Sequence, residues 1–364
     1  MSKLHPVHWI PRLALAGVLL GFCVVVLGAY VRLSAAGLGC PDWPGCYGHI
    51  TPSGAQQSTA AQAQYPNRPL EAGKAWREMI HRYAAGTLVL IIIVIAALAI
   101  TTRELRVVPP GYALALFGIV LLQAVLGMLT VTWLLKPLIV TLHLLFGLTT
   151  LGLMWWLFLS LPRQRWGAGP ALVGRLNVTG NLSVTASAVA NPSAGEQAAR
   201  ALAIVALCLL GAQIALGGWT SSNYAAVACP DFPKCQDAWW PHTDYRTAFV
   251  LWRGLAINFE GGVLDNPARV AIHLTHRMGA LVASLALITA ALATLRRARL
   301  RGARLAAIAV LAALTLQLSI GIAMVQRGFP LWLATAHNAG AALLLLATLT
   351  LAWTWTRSAQ SRPF

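Results

Sequence analysis

Charge is what this chain has least of. Only 10% of its 364 residues are charged, and just ten are acidic. Soluble domains carry about a quarter charged residues, so this deficit excludes an ordinary water-soluble fold. Eight stretches hold no Asp, Glu, Lys or Arg at all: 13–31, 83–102, 111–135, 137–161, 201–222, 278–295, 305–326 and 328–356. Each is about as long as the hydrocarbon core of a bilayer requires of a helix. With 58% hydrophobic residues and a mean hydropathy of +0.67, the chain reads as an all-α membrane protein of eight transmembrane helices. A small-residue cleavage site is lacking after the first stretch, so it reads as a retained helix and not a signal peptide. The basic leader of about 12 residues is too short for an organellar transit peptide. The expected address is a bacterial inner membrane.

The net charge of +17 could suggest a nucleic-acid partner, but topology accounts for it better, and no nucleic acid is expected. With the N-terminus in the cytoplasm, fifteen of the 27 basic residues fall on the inner side, Arg296 to Arg304 being the densest group. Eight of the ten acidic residues fall outside. Positive-inside bias therefore puts both termini in the cytoplasm.

Cysteine is also scarce. Of the six, Cys23 and Cys208 lie in apolar stretches and are expected to be buried, inert thiols. Cys40, Cys46, Cys229 and Cys235 fall in the two long outer loops, where an oxidising compartment favours local disulfides. These cysteines expose a duplication. CPDWPGC at 40–46 returns as CPDFPKC at 229–235, 189 residues on, and Gly28 pairs with Gly217 at the same offset. His81-Arg82 matches His276-Arg277 at 195, while Gln123, Gly127 and His143 match Gln317, Gly321 and His337 at 194. Four spans per half is an even number, so both halves enter the membrane from one side. The expected architecture is two tandem four-helix bundles related by a pseudo-twofold axis along the membrane normal. The divisions are 1–161, a cytoplasmic linker at 162–200, and 201–364. Within the first outer loop, the Gln/Ala-rich piece at 55–64 reads as mobile. Trp239, Trp240, Phe249 and Trp252 in the second suggest a helix lying at the interface.

Polar groups in hydrocarbon are costly and usually functional. His81 opens the second span, His276 the sixth, and His143 and His337 sit early in the fourth and eighth. All four then lie near the outer face, two per half at similar depth. A lone intramembrane histidine is often only a packing residue. Four repeated by duplication at one level fit paired imidazoles clamping an iron porphyrin from both sides. Zinc lacks the third and fourth ligands it needs. The halves differ at one point: Glu78 precedes His81 by three residues, whereas His273 precedes His276. Residues three apart share a helix face, so Glu78 is a candidate general base in the first half only. Its plainer role is a helix N-terminal charge favoured by the macrodipole. Arg82 and Arg277 could meet porphyrin propionates, or turn about 100° away toward loop or lipid. The seven-residue cysteine rings are structural staples or, for Cys40–Cys46, a redox-active pair.

These features together resemble the haem A synthase family over nearly the whole chain: eight spans, the four-plus-four duplication, four histidines, Glu-x-x-His-Arg at 78–82 and the cysteine pair after the first span. The resemblance implies an oxidoreductase that converts the C8 methyl of haem O to a formyl group by successive hydroxylations, giving haem A for aa3-type oxidases. It implies that His81 and His143 hold the substrate haem, that His276 and His337 hold a haem b cofactor, and that Glu78 is catalytic. Cys40 and Cys46 match the family's disulfide pair. His273 departs from the family pattern. Haem O synthase is the implied neighbour, with membrane lipid as surroundings; the electron acceptor stays unidentified, and a homo-oligomer is allowed. The alternative is a dihaem b-type, quinol-linked electron carrier. It usually places haems near both membrane faces, against four histidines near one. A transporter would instead call for broken helices with polar groups at mid-membrane.

Overall fold

The computed structural model describes residues 9–103, 107–161, 193–298 and 300–360. Eight long helices dominate it: α1 (Trp9–Leu33), α2 (Ala72–Thr101), α3 (Pro110–Thr132), α4 (Pro137–Ser160), α5 (Ala194–Ser222), α6 (Asn266–Arg297), α7 (Arg301–Gln326) and α8 (Leu331–Gln360). All eight are long and apolar enough to cross a bilayer. Their outward faces carry exposed Leu305, Ile308 and Leu316 on α7 and Leu90, Ile93 and Val94 on α2. That inverts a soluble surface and suits lipid. The chain is a multi-pass membrane protein.

Prolines begin several helices where a missing N–H costs nothing: Pro110, Pro137 and, within the first turn of α6, Pro267. The start of α5 carries a capping box. Ser193 Oγ accepts from the Glu196 N–H at 3.2 Å, and Glu196 Oε2 accepts from the Ser193 N–H at 3.1 Å. Residues 194–200, expected to be linker, therefore belong to α5; 162–192 lie outside the described residues.

Helices α1 to α4 pack as a ring, each on its neighbours, and α5 to α8 form a second ring. The rings meet where α1 contacts α8, α4 contacts α5, and α4 contacts α8. Exchanging the halves maps these contacts onto one another, as a twofold relation requires. Small residues line the second ring densely, including Ala199, Ala203 and Ala206 on α5, Ala283, Ala290 and Ala291 on α6, and Ala303, Ala306 and Ala307 on α7. They let backbones approach, and the α5–α6 pair packs more extensively than α1–α2. The repeat extends to the turns. Leu134 and Leu135 adopt left-handed backbone (φ 51° and 59°) between α3 and α4, as Gly328 and Phe329 do (70° and 60°) between α7 and α8.

Both cysteine loops and all four turns entering α2, α4, α6 and α8 lie at one end of the bundle. Helices α2 and α6 begin 11 and 12 residues before the apolar runs at 83 and 278, about 16–18 Å of extra helix. An apolar run marks only what lipid must cover; helical order continues where the helix end packs under a loop. His81 and His276 therefore stand well inside their helices, not at the openings. The Gln/Ala-rich piece is ordered as two short helices, Pro52–Gln57 and Thr59–Ala63, capped by Thr51 and Ser58. The expected interfacial helix shrinks to Tyr245–Ala248, capped by Asp244, with Trp239 and Trp240 exposed beside it. Cys23 and Cys208 are exposed on the outward faces of α1 and α5, not buried, because the bundle core lies on their opposite faces.

Candidate haem-binding site

The four histidines face inward in two pairs. His81 on α2 and His143 on α4 stand on diagonal helices of the first ring, within electrostatic reach of one another; His276 on α6 and His337 on α8 repeat this in the second. Each ring lies against a glycine of the preceding helix. A Cβ built on Gly28 would come 2.9 Å from His81 Cε1. The corresponding distances are 3.2 Å for Gly127 and His143, 3.2 Å for Gly217 and His276, and 3.0 Å for Gly321 and His337. A side chain would displace the imidazole at Gly28 and press on it at the other three.

A planar iron porphyrin fits these positions. Its demands are two opposed imidazoles, each with a free ring nitrogen. The Nδ1 atoms of His81, His143 and His337, and of His273 as well, are buried without a hydrogen-bond partner, while that of His276 meets Gln213. Buried polar atoms are rarely left so unless a ligand or ion completes them. Among the described residues, groups of three or more His, Cys, Asp or Glu able to hold a bare metal are absent. His273, the competitor for His276, is buried and turned toward the backbone of Ala225 and Ala226, with Phe329 edge-on at 6.5 Å. It is the neighbouring His276 that meets Gly217.

Glu78 is buried, 4% exposed, and both its oxygens are engaged. Oε2 accepts from the Cys40 N–H at 2.9 Å, and Oε1 accepts from Arg82 Nη2 at 2.6 Å. Glu78 lies beyond the first turn of α2, so the macrodipole does not explain it. The carboxylate ties the helix to the cysteine loop.

Both loops close as disulfides, Cys40–Cys46 and Cys229–Cys235. Within them, Asp42 accepts from the Tyr47 and Gly48 N–H groups, and Asp231 from those of Gln236 and Asp237. The arginines after the histidines bind these loops. Arg82 Nη1 donates to the carbonyls of Asp42 (2.9 Å), Pro44 (3.1 Å) and Gly45 (2.5 Å). Arg277 donates to those of Asp231 (2.7 Å), Lys234 (2.7 Å), Cys229 (3.3 Å) and Pro233 (3.3 Å). The helical step from His81 to Arg82 turns the guanidinium toward the loop, so these groups are already engaged where propionates were expected.

Sequence reasoning missed three partners. Gln213 Nε2 donates to the His276 carbonyl and lies 3.0 Å from its Nδ1. Lys136 is fully buried at the α3–α4 turn, with Trp252 3.4 Å away, and donates to the Gly254 carbonyl. Arg32 donates to the Ser221 carbonyl at 3.0 Å, joining α1 to α5. Only Gln213 had a visible signal, its four-residue spacing from Gly217.

Fold and site together define a multi-pass helical membrane protein with two bis-histidine bundles under disulfide-closed loops. Residues 11–349 match the family model of the cytochrome oxidase assembly protein. A heme A synthase from Shewanella oneidensis is 39% identical over 355 residues, covering 97% of this chain and 98% of that protein. Another from Rhizorhabdus wittichii is 29% identical over 350 residues, covering 90% and 88%, and one from a Caulobacter species is 28% identical over 357, covering 91% and 92%. The chain belongs to the haem A synthase family, enzymes of haem A biosynthesis.

Proposed function

We propose that this protein oxidises the C8 methyl of haem O to a formyl group by successive hydroxylations, in the first half, with a haem b held in the second. The observation that carries this reading is the doubled pair of inward histidines, each against a glycine, with a carboxylate beside only one pair. Bound iron would mediate the oxidation, which no side chain can provide for an unactivated methyl, with the electrons passing on to an external acceptor. His81 and His143 hold the substrate porphyrin by its iron; His276 and His337 hold the cofactor. Glu78, kept in place by Arg82 and the Cys40 amide, serves as proton acceptor or charge stabiliser at the reacting edge. The looser packing of α1 on α2 suits a half that must admit and release a porphyrin.

Positive-inside bias sets the cysteine loops and the haem sites at the outer face of a bacterial inner membrane, with both termini inside. The substrate makes haem O synthase the natural neighbour. A dihaem electron carrier is disfavoured because all four histidines stand at the loop end of the bundle, whereas such a carrier usually places haems near both faces. Extraction of haem from purified protein supplied with haem O tests the assignment. Chromatography should find haem b together with haem O, a hydroxylated product or haem A. Two haem b per chain, unchanged after haem O is supplied, would sink it.

A further inference from the structure

Three of the four histidines are clasped by a glutamine, and one is not. Gln123 Nε2 donates to the His143 carbonyl at 2.9 Å and lies 3.5 Å from its Nε2. Gln213 holds His276 by the contacts given above, and Gln317 Nε2 lies 3.3 Å from His337 Nε2. Each glutamine stands four residues before the glycine that its histidine packs on: QAVLG at 123–127, QIALG at 213–217 and QLSIG at 317–321. The fourth copy reads VVVLG at 24–28, so Val24 occupies the position facing His81. His81 lacks a side-chain amide beside it; its hydrogen-bond partner is the Val24 backbone, as that of Gln123 is for His143.

A second difference accompanies the first. Each clasping glutamine packs in a notch left by a glycine shortly after the histidine. Gln123 Nε2 would be 3.1 Å from a Cβ on Gly147, and Gln213 and Gln317 would collide with one on Gly279 or Gly340. After His81 the same positions are Ala84 and Ala85. Glutamine and notch are present together three times and missing together once.

The chemistry of the clasp follows from what an iron-bound imidazole needs. Iron takes one ring nitrogen, and the other N–H wants an acceptor that fixes the ring and raises its basicity. The Oε1 atoms of Gln123, Gln213 and Gln317 are buried and unpartnered; at Gln317 a half-turn of the amide brings that oxygen to the ring, while Gln123 and Gln213 tie the ring to its own carbonyl through Nε2. We propose that the glutamine clasp sorts the four ligands into three held rings and one exchangeable ring, and that the unclasped His81 is where the first-half porphyrin is released. His143 would retain it on one face while His81 lets go on the other; the second-half porphyrin is clasped on both. This rests on the ligation reading above.

The test uses full-length protein loaded with haem and a large excess of haem-free globin as acceptor. Transfer should be biphasic, the fast phase vanishing in His143→Ala and the slow phase in His276→Ala. Gln213→Val should accelerate the slow phase on the order of 10–100-fold. Gln213→Glu, which loses the amide N–H that holds the His276 carbonyl, should also accelerate the slow phase. Val24→Gln with Ala84→Gly should slow the fast phase. A single phase in the parent, or a Gln213→Val variant with parental transfer rate and unaltered ferric EPR spectrum, overturns the clasp. A parent protein that takes up no haem overturns the ligation reading itself.

Discussion

At the residue scale the informative comparison is Glu78 against His273. They occupy equivalent positions before His81 and His276, yet Glu78 bridges Arg82 and the Cys40 amide, while His273 packs among backbone and Phe329. Truncating Glu78 would strand Arg82, half of a buried ion pair, at a cost of about 3–5 kcal/mol. Glu78→Gln is therefore the cleaner probe, because it keeps an oxygen for the Cys40 N–H and removes the proton acceptor. We predict that this variant retains its haem while its conversion of haem O falls about 10²–10⁴-fold, read by chromatography of extracted haem. Parental conversion would leave Glu78 as a tether only. Sequence spacing placed Glu78 on the His81 side of the helix, but its engagement with a loop 38 residues away was not legible, because that contact depends on how the loop folds back.

At the element scale, each cysteine loop and the helix end beneath it act as one unit. A seven-residue disulfide ring contributes about 2 kcal/mol by loop entropy. Arg82 and Glu78 then fasten the ring to α2. Replacing Cys40 and Cys46 by alanine should raise amide hydrogen exchange not only across 37–48 but also across 71–82, since the Cys40 N–H is a Glu78 partner. Unchanged exchange in 71–82 would mean that α2 holds its end without the loop. The same logic explains why apolar runs understated α2 and α6. Hydropathy reports the lipid boundary, while the helix continues until its packing partner ends.

At the scale of the whole molecule, stability depends on the seam between the rings. Gly152 on α4 lies where a Cβ would come 3.0 Å from Leu349 of α8. Nearby, Trp155 Nε1 donates to Thr350 Oγ1 at 2.9 Å, and Trp353 Nε1 to Ser160 Oγ at 3.2 Å. Gly152→Leu should overpack this seam at a cost of about 1–3 kcal/mol, seen as a lowered thermal midpoint in detergent. Gly86→Leu, at a lipid-facing position with nothing within 4 Å, should not lower it. Equal midpoints for both variants would refute the seam's role.

The number of spans, the duplication, the cysteine pairs and the four histidines were all determined by the sequence alone. Each is a one-dimensional pattern: uncharged runs of bilayer length, or motifs returning at offsets of 189 to 195. Which faces the histidines present, which glycines they meet and where Arg82 and Arg277 point were decided only by tertiary structure. These depend on the rotation of each helix against its neighbours and on loops that fold back over the bundle. Interhelical packing sets both, and no single stretch of chain encodes them.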